Sequence, residues 1–106
     1  MNKVTYICGT GKNKDGFALL YSWVAMKLAE VQLRAARVFG GYTLLASEGG
    51  WVNSKDELVT EEGITFVVIT DKPYLVCKSF AEELRDTFDQ DSVVMVIERD
   101  VEVEFV

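Results

Sequence analysis

The chain has 106 residues, of which 49% are apolar, and its formal net charge is −6. This length fits one domain, and the apolar fraction is sufficient for a hydrophobic core. The 11 Lys and Arg residues are scattered among 17 Asp and Glu residues, which argues against nucleic acid as a partner, because phosphate binding needs clustered basic side chains.

Histidine is absent, and the two cysteines, Cys8 and Cys77, lie far apart in the sequence. A Ser-His-Asp triad, a Cys-His dyad and a histidine-ligated metal site are therefore excluded within the chain. We interpret both cysteines as buried, reduced thiols, which fits a cytoplasmic protein. No apolar run approaches the roughly 20 residues of a membrane span, and no signal-peptide pattern is present, so we expect no membrane partner.

The first half of the chain predicts a strand, a helix and a second strand. Residues 4–8 form a short β-rich run that ends at glycine. Asp15-Gly16 marks the predicted start of a helix, since apolar residues then recur every three or four positions as far as Val38. Gly40-Gly41 ends this helix, and residues 42–47 are predicted as the second strand.

The second half predicts a strand, a helix and two more strands. Residues 49–59 are expected to form a decorated connection with a small hairpin turn at 53–56, and Glu61-Glu62-Gly63 precedes a central strand at 64–70. A second helix begins near Pro73. Residues 92–97 and the alternating residues 101–106 are the last two predicted strands.

This order predicts an α+β, ferredoxin-like βαββαβ sandwich over residues 1–106, in which two helices back an antiparallel sheet. The extra C-terminal strand is expected to cover an edge of its own sheet or to pair with a neighbouring subunit. A closed homo-oligomer is therefore expected, and the pattern of the sequence leaves the number of subunits open.

Two motifs are interpreted as structural. Gly9-Thr10-Gly11-Lys12 has part of a phosphate-binding pattern, but the required Gly spacing and the Ser or Thr after Lys are missing, so it is predicted to be a strand-to-helix loop. Tyr21 and Tyr74 are interpreted as amphipathic residues at the edge of the core.

The segment from Gly49 to Glu62 is the richest in functional candidates. Trp51 follows two glycines and is not obviously needed for a core, and the adjacent carboxylates of Glu61 and Glu62 are costly to bury. Only one of these two can point to a given face of a strand. Two interpretations remain open: an exposed charged corner with Trp51 over the sheet edge, or a cleft in which a glutamate and Trp51 hold a cationic or aromatic ligand.

Three motifs resemble the bacteriophage S-adenosylmethionine lyases, formerly called hydrolases: Gly49-Gly50-Trp51, Thr60-Glu61-Glu62 and Asp89-Gln90-Asp91-Ser92-Val93. That family has a Gly-x-Tyr, a Thr-Glu-Glu at the same separation and a Gln-Asp-Cys-Val-like strand start. The likeness covers residues 40–97. Residues 42–61 are also similar to small uncharacterised bacterial proteins that carry a Gly-x-Trp…Glu motif.

The lyase resemblance implies a ferredoxin-like homotrimer with active sites between subunits. It implies cleavage of S-adenosylmethionine to methylthioadenosine and homoserine lactone without a metal or added cofactor, in the host-cell cytoplasm if the chain is phage-encoded. Glu62 would be the principal catalytic residue, which holds the methionine moiety, and Glu61 the second candidate. Trp51 and Gln90 would bind substrate. Trp51 replaces the family tyrosine, so an indole rather than a phenol would lie over the sulfonium.

Two alternatives stay open beside the lyase. One is a non-catalytic oligomer of the same fold that binds a nucleoside-like metabolite. The other is a protein-interaction module that uses the acidic surface and the C-terminal segment. Formation of product separates the lyase from both alternatives, and stabilisation by ligand without turnover separates the binding protein from the interaction module.

Overall fold

The computed structural model describes all 106 residues, from Met1 to Val106. The helices are α1 (Tyr21–Phe39) and α2 (Tyr74–Thr87), and the strands are β1 (Asn2–Gly9), β2 (Thr43–Val52), β3 (Leu58–Thr70) and β4 (Val94–Glu98). They form one antiparallel sheet in the order β2-β3-β1-β4. The predicted ferredoxin-like fold is confirmed. No helix is long and apolar enough to cross a membrane.

One face of the sheet packs against both helices and forms the core. Side chains alternate along a strand, so every second residue of β1 and β3 turns toward the helices. The buried apolar residues are Val4, Tyr6 and Cys8 of β1, Ile64, Phe66 and Val68 of β3, Val31 and Ala35 of α1, and Cys77, Phe80, Ala81, Leu84 and Phe88 on and after α2. These residues form a single hydrophobic cluster.

Aromatic rings join the helices to the sheet. The ring of Phe80 meets those of Tyr6, Phe39 and Phe66 edge-on, at centroid distances of 5.1, 5.5 and 5.6 Å. This geometry places the positive edge of one ring on the negative face of the next. The buried hydroxyl of Tyr6 donates to the carbonyl oxygen of Cys77 at 2.9 Å, so its polar atom is satisfied and α2 is fixed over β1.

The opposite face of the sheet is not covered by a helix. Ile7, Leu45, Val94 and Val96 lie on this face and are between 43% and 53% exposed. The register places Ile7 opposite Val94 on neighbouring strands, and Leu45 lies on the same side across β3. Contiguous exposed apolar side chains of this kind commonly mark interaction surfaces.

Helix α1 begins later than the sequence predicts. Its predicted start, Asp15-Gly16, lies in a turn in which Asn13 Oδ1 accepts hydrogen bonds from the backbone N–H groups of Asp15 and Phe17, both at 3.0 Å. These bonds compete with helical ones, which apolar periodicity alone does not reveal. The end of α1 is as predicted, because Gly40 takes the left-handed conformation at φ 81°.

Strands β2 and β3 form a longer hairpin than predicted. The turn falls at residues 53–56 as expected, and Asn53 Oδ1 accepts from the N–H groups of Lys55 and Glu57 at 2.9 and 3.0 Å. The expected decorated connection is wrong, because Trp51 pairs with Val59 and both strands continue to the turn. Glu61 and Glu62 therefore lie within β3 and not ahead of it.

The predicted C-terminal strand does not form. Residues 101–106 belong to no strand, and their one backbone hydrogen bond joins the N–H of Val101 to the carbonyl of Met1 at 3.0 Å. Phe105 borders a depression together with Val67 and Ile69 of β3, so the segment stays near the sheet without joining it. An alternating pattern forms a strand only where the backbone pairs with a neighbouring strand, and here it does not.

A substitution at Gly63 tests the packing of β1 on β3. A Cβ at Gly63 would stand 2.7 Å from the carbonyl oxygen of Cys8, which belongs to the backbone and cannot rotate away. We expect Gly63→Ala to lower the free energy of unfolding by about 1–3 kcal/mol. Urea unfolding followed by circular dichroism measures it.

The matched control is Gly41→Ala, where a Cβ would meet nothing within 4 Å. This variant should change the free energy of unfolding by less than about 1 kcal/mol. Equal losses in the two variants would contradict the close approach at Gly63.

Candidate functional site

A cleft of about 440 Å³ opens on the uncovered face of the sheet, where β1 ends and β4 begins. Strand ends form its floor, and two loops, residues 12–16 and 90–92, contribute to its rim. Trp51, Glu61 and Gln90, three of the four residues predicted from the sequence, line this cleft.

Trp51 and Glu61 share one face of the hairpin. Trp51 pairs with Val59, and Glu61 pairs with Gly49, so the two side chains are diagonal neighbours whose Cα atoms are roughly 7–8 Å apart. Gly49 has no side chain to fill the space opposite the carboxylate. The indole is 51% exposed, which leaves it free to contact a ligand. The cleft thus offers an aromatic surface beside a carboxylate.

The side chain of Gln90 is held by two backbone carbonyls. Its Nε2 donates to the carbonyl oxygen of Lys12 at 2.7 Å and to that of Phe88 at 2.9 Å. Both N–H bonds of the amide are used in this way, so the Oε1 atom is left as an acceptor. Gln90 therefore ties the two loops of the rim together and turns a carbonyl oxygen toward Gly9.

Glu62 lies on the other face of the hairpin. It pairs with Glu48, and both border a separate depression together with Thr10. The hydroxyl of Tyr21, at the first residue of α1, donates to Glu62 Oε1 at 3.3 Å. Tyr21 was interpreted as a core-edge residue, but its side chain is 79% exposed. Its proximity to Glu62 depends on the late start of α1, which the sequence did not reveal.

Cys8 borders the cleft but is not a nucleophile. Its side chain is 1% exposed, and burial, with a smaller effect of the Glu61 carboxylate, raises the pKa of its thiol to about 12. The reactive thiolate is therefore not populated at neutral pH. Cys8 and Cys77 are both buried, as predicted, and both are free.

Two lysines stand at the rim and differ in their partners. Lys14 Nζ pairs with Asp89 Oδ1 at 3.4 Å, whereas Lys12 has no carboxylate within 4 Å. The Gly9-Thr10-Gly11-Lys12 segment is a strand-to-helix loop as predicted, and the N–H of Thr10 is already bonded to the carbonyl of Glu62 at 3.0 Å. No group of three or more Cys, Asp or Glu side chains is placed to hold a metal ion.

Solved structures of phage SAM lyases have the same fold as this chain. The complex with S-methyl-5'-thioadenosine matches with a TM-score of 0.61 and 18% identity over 92% of this chain and 79% of that one. The apo state matches with a TM-score of 0.61 and 17% identity over 92% and 78%. The predicted lyase resemblance is thus confirmed for the fold.

CutA1 proteins have this fold as well. The divalent ion tolerance protein CutA1 from Ehrlichia chaffeensis matches with a TM-score of 0.58 and 8% identity over 97% of this chain and 84% of that one. A variant of CutA1 from Pyrococcus horikoshii matches with a TM-score of 0.53 and 8% identity over 96% and 87%. No protein-family model and no curated protein sequence matches the chain.

The state of the two thiols is open to a direct measurement. Because both are buried and the pKa of Cys8 is about 12, iodoacetamide at pH 8 should leave the native protein unmodified. In urea both thiols are exposed and the pKa of Cys8 returns to its ordinary value near 8.5, so both should react. Intact-mass spectrometry counts the adducts. Rapid modification of Cys8 in the native state would contradict its place beneath the cleft.

Proposed function

We propose that this chain is an S-adenosylmethionine lyase, which forms methylthioadenosine and homoserine lactone. The observation that carries the proposal is that Trp51, Glu61 and Gln90 line one cleft. They come from three separate motifs of the resemblance. The fold shared with phage SAM lyases supports the proposal independently of these residues.

The reaction suits a chain without histidine. An oxygen of the substrate's own carboxylate attacks the γ carbon, the bond from this carbon to sulfur breaks, and the electron pair leaves on sulfur as a neutral thioether. The lactone keeps the ammonium group, so the total charge of +1 is conserved and no proton has to move. The site needs only to orient the substrate, which is the largest benefit of an intramolecular step.

The protein holds the substrate in a folded conformation and excludes part of the surrounding water. The carboxylate and the sulfonium neutralise each other in the transition state, so a less polar surrounding favours the transition state over the separated charges. The exposed indole of Trp51 supplies such a surface. It also attracts the sulfonium by a cation–π interaction of about 0.5–2 kcal/mol.

Trp51 and Glu62 point to opposite faces of one hairpin, so one protomer cannot present both to the same substrate. A second copy can bring its Glu62 to the Trp51 side. The exposed apolar residues of the uncovered face, among them Ile7 and Val94, suit such a contact. We therefore propose a closed homo-oligomer with each site at a boundary between subunits, and the lyase resemblance implies that it is a trimer.

Turnover is the first test of this function. Purified protein is incubated with S-adenosylmethionine, and products are separated by liquid chromatography. We expect methylthioadenosine and homoserine lactone, and a loss of about 10²-fold in kcat for Glu62→Gln if its carboxylate orients the reacting group. Glu57→Gln, in the exposed hairpin turn, is the matched control and should keep full activity.

Absence of product above the spontaneous background would refute the lyase. Stabilisation of the protein by S-adenosylmethionine or methylthioadenosine without turnover would instead support a non-catalytic ligand-binding protein.

Mixed oligomers test whether the site is shared. Trp51→Ala and Glu62→Gln are co-expressed with different tags, and hetero-oligomers are purified. In every purified heterotrimer, whether 2:1 or 1:2, one of the three boundaries combines a native Trp51 with a native Glu62, so activity should return to about one third of the wild-type level. Neither variant alone should be active at low substrate concentration.

The control mixture is Trp51→Ala with Glu61→Gln. These residues line the same cleft of one protomer, so no mixed oligomer would contain both in one site, and activity should stay low. Failure of the first mixture to recover activity would contradict a site that combines Trp51 and Glu62 from different subunits.

A further inference from the structure

Two oxygen acceptors converge on one point above Gly9. If Gly9 carried a Cβ, that atom would lie 2.7 Å from Glu61 Oε1 and 3.0 Å from Gln90 Oε1. The two oxygens are therefore at most about 5.7 Å apart, so one ligand nitrogen on their open side can lie within hydrogen-bonding distance of both. The two side chains can pack this closely against residue 9 because it is glycine.

Neither acceptor has a donor within the protein. Both N–H groups of the Gln90 amide donate hydrogen bonds to the carbonyls of Lys12 and Phe88. These bonds fix the orientation of the amide and leave Oε1 free. The carboxylate of Glu61 has no cation within 4 Å and accepts no hydrogen bond from the chain, and it lies in the cleft. One negative and one neutral acceptor select a positively charged N–H donor.

We infer that Glu61 and Gln90 form a subsite for the primary ammonium group of the ligand, and that Gly9 allows these two acceptors to come together. An ammonium group has three donors and fits two convergent acceptors, whereas a sulfonium has no N–H to donate. The identification of this group as the α-ammonium of S-adenosylmethionine rests on the proposed function.

The charge of the ammonium does not change during the reaction, unlike that of the sulfonium. A carboxylate beside the sulfonium would stabilise the charged ground state, which the transition state loses. A carboxylate on the ammonium stabilises ground state and transition state equally. Glu61 at this subsite therefore lowers KM and leaves kcat unchanged.

Gly9→Ala tests the subsite without removing either acceptor. Gly9 does not have a left-handed φ, and the atoms its Cβ would meet are the flexible ends of two side chains, so the variant should fold. The new methyl group would stand too close to both oxygens and push them apart, so that they no longer meet at one ligand nitrogen. We expect KM for S-adenosylmethionine to rise at least about tenfold, with kcat within about threefold of the wild type.

Two comparisons make the result specific. Gly41→Ala, outside the cleft and with nothing within 4 Å of its Cβ, should keep the wild-type KM. Methylthioadenosine has no ammonium group, so calorimetry should find its affinity unchanged in Gly9→Ala. Glu61→Gln should likewise raise KM for the substrate and leave methylthioadenosine binding unaltered.

The failures are distinguishable. An unchanged KM in Gly9→Ala, or an equal loss of methylthioadenosine affinity, overturns the ammonium subsite while the wild-type turnover leaves the lyase intact. A wild type that neither binds nor cleaves S-adenosylmethionine overturns the lyase and the subsite together.

Discussion

Two glycines, Gly9 and Gly63, allow the central strands to approach each other closely and determine where the cleft lies. The two glycines face each other across the central strands β1 and β3. At Gly63 the absence of a Cβ lets the backbone of β1 come close, and at Gly9 it leaves room for the Glu61 carboxylate and the Gln90 amide. The core is dense on the helical side of this pair, and the polar cleft begins on the other.

The fold was predictable because its strongest signals are local and periodic. Helical spacing located both helices, and the apolar run of β3 identified a central strand, since such a run suits burial between neighbours. Errors arose where a side-chain amide or a distant partner decides the conformation. Asn13 turns the chain ahead of α1, and pairing with β3 extends β2 through a Gly-Gly pair that alone indicates a loop.

The sequence predicted which residues belong to the candidate site, but it did not predict which of them lie on the same face of the hairpin. The sequence indicated that Glu61 and Glu62 must face opposite ways, yet only the register of β2 on β3 shows that Trp51 lies on the side of Glu61. The contact of Tyr21 with Glu62 spans 41 positions and depends on where α1 begins. Packing and register across the chain fix such relations, and no short motif encodes them.

The two loops built on Asn13 and Asn53 have the same hydrogen-bond pattern. In each, the asparagine side chain accepts from the second and fourth following N–H groups, and the asparagine N–H donates to the fourth following carbonyl. The groups involved are uncharged, so dissolved ions screen them little. The two asparagine loops should therefore keep their local conformation as ionic strength changes, and at the cleft rim only the exposed Lys14–Asp89 ion pair should weaken. The dependence of ligand affinity on salt concentration would then report the charged contacts between ligand and protein, because the two loops do not rearrange.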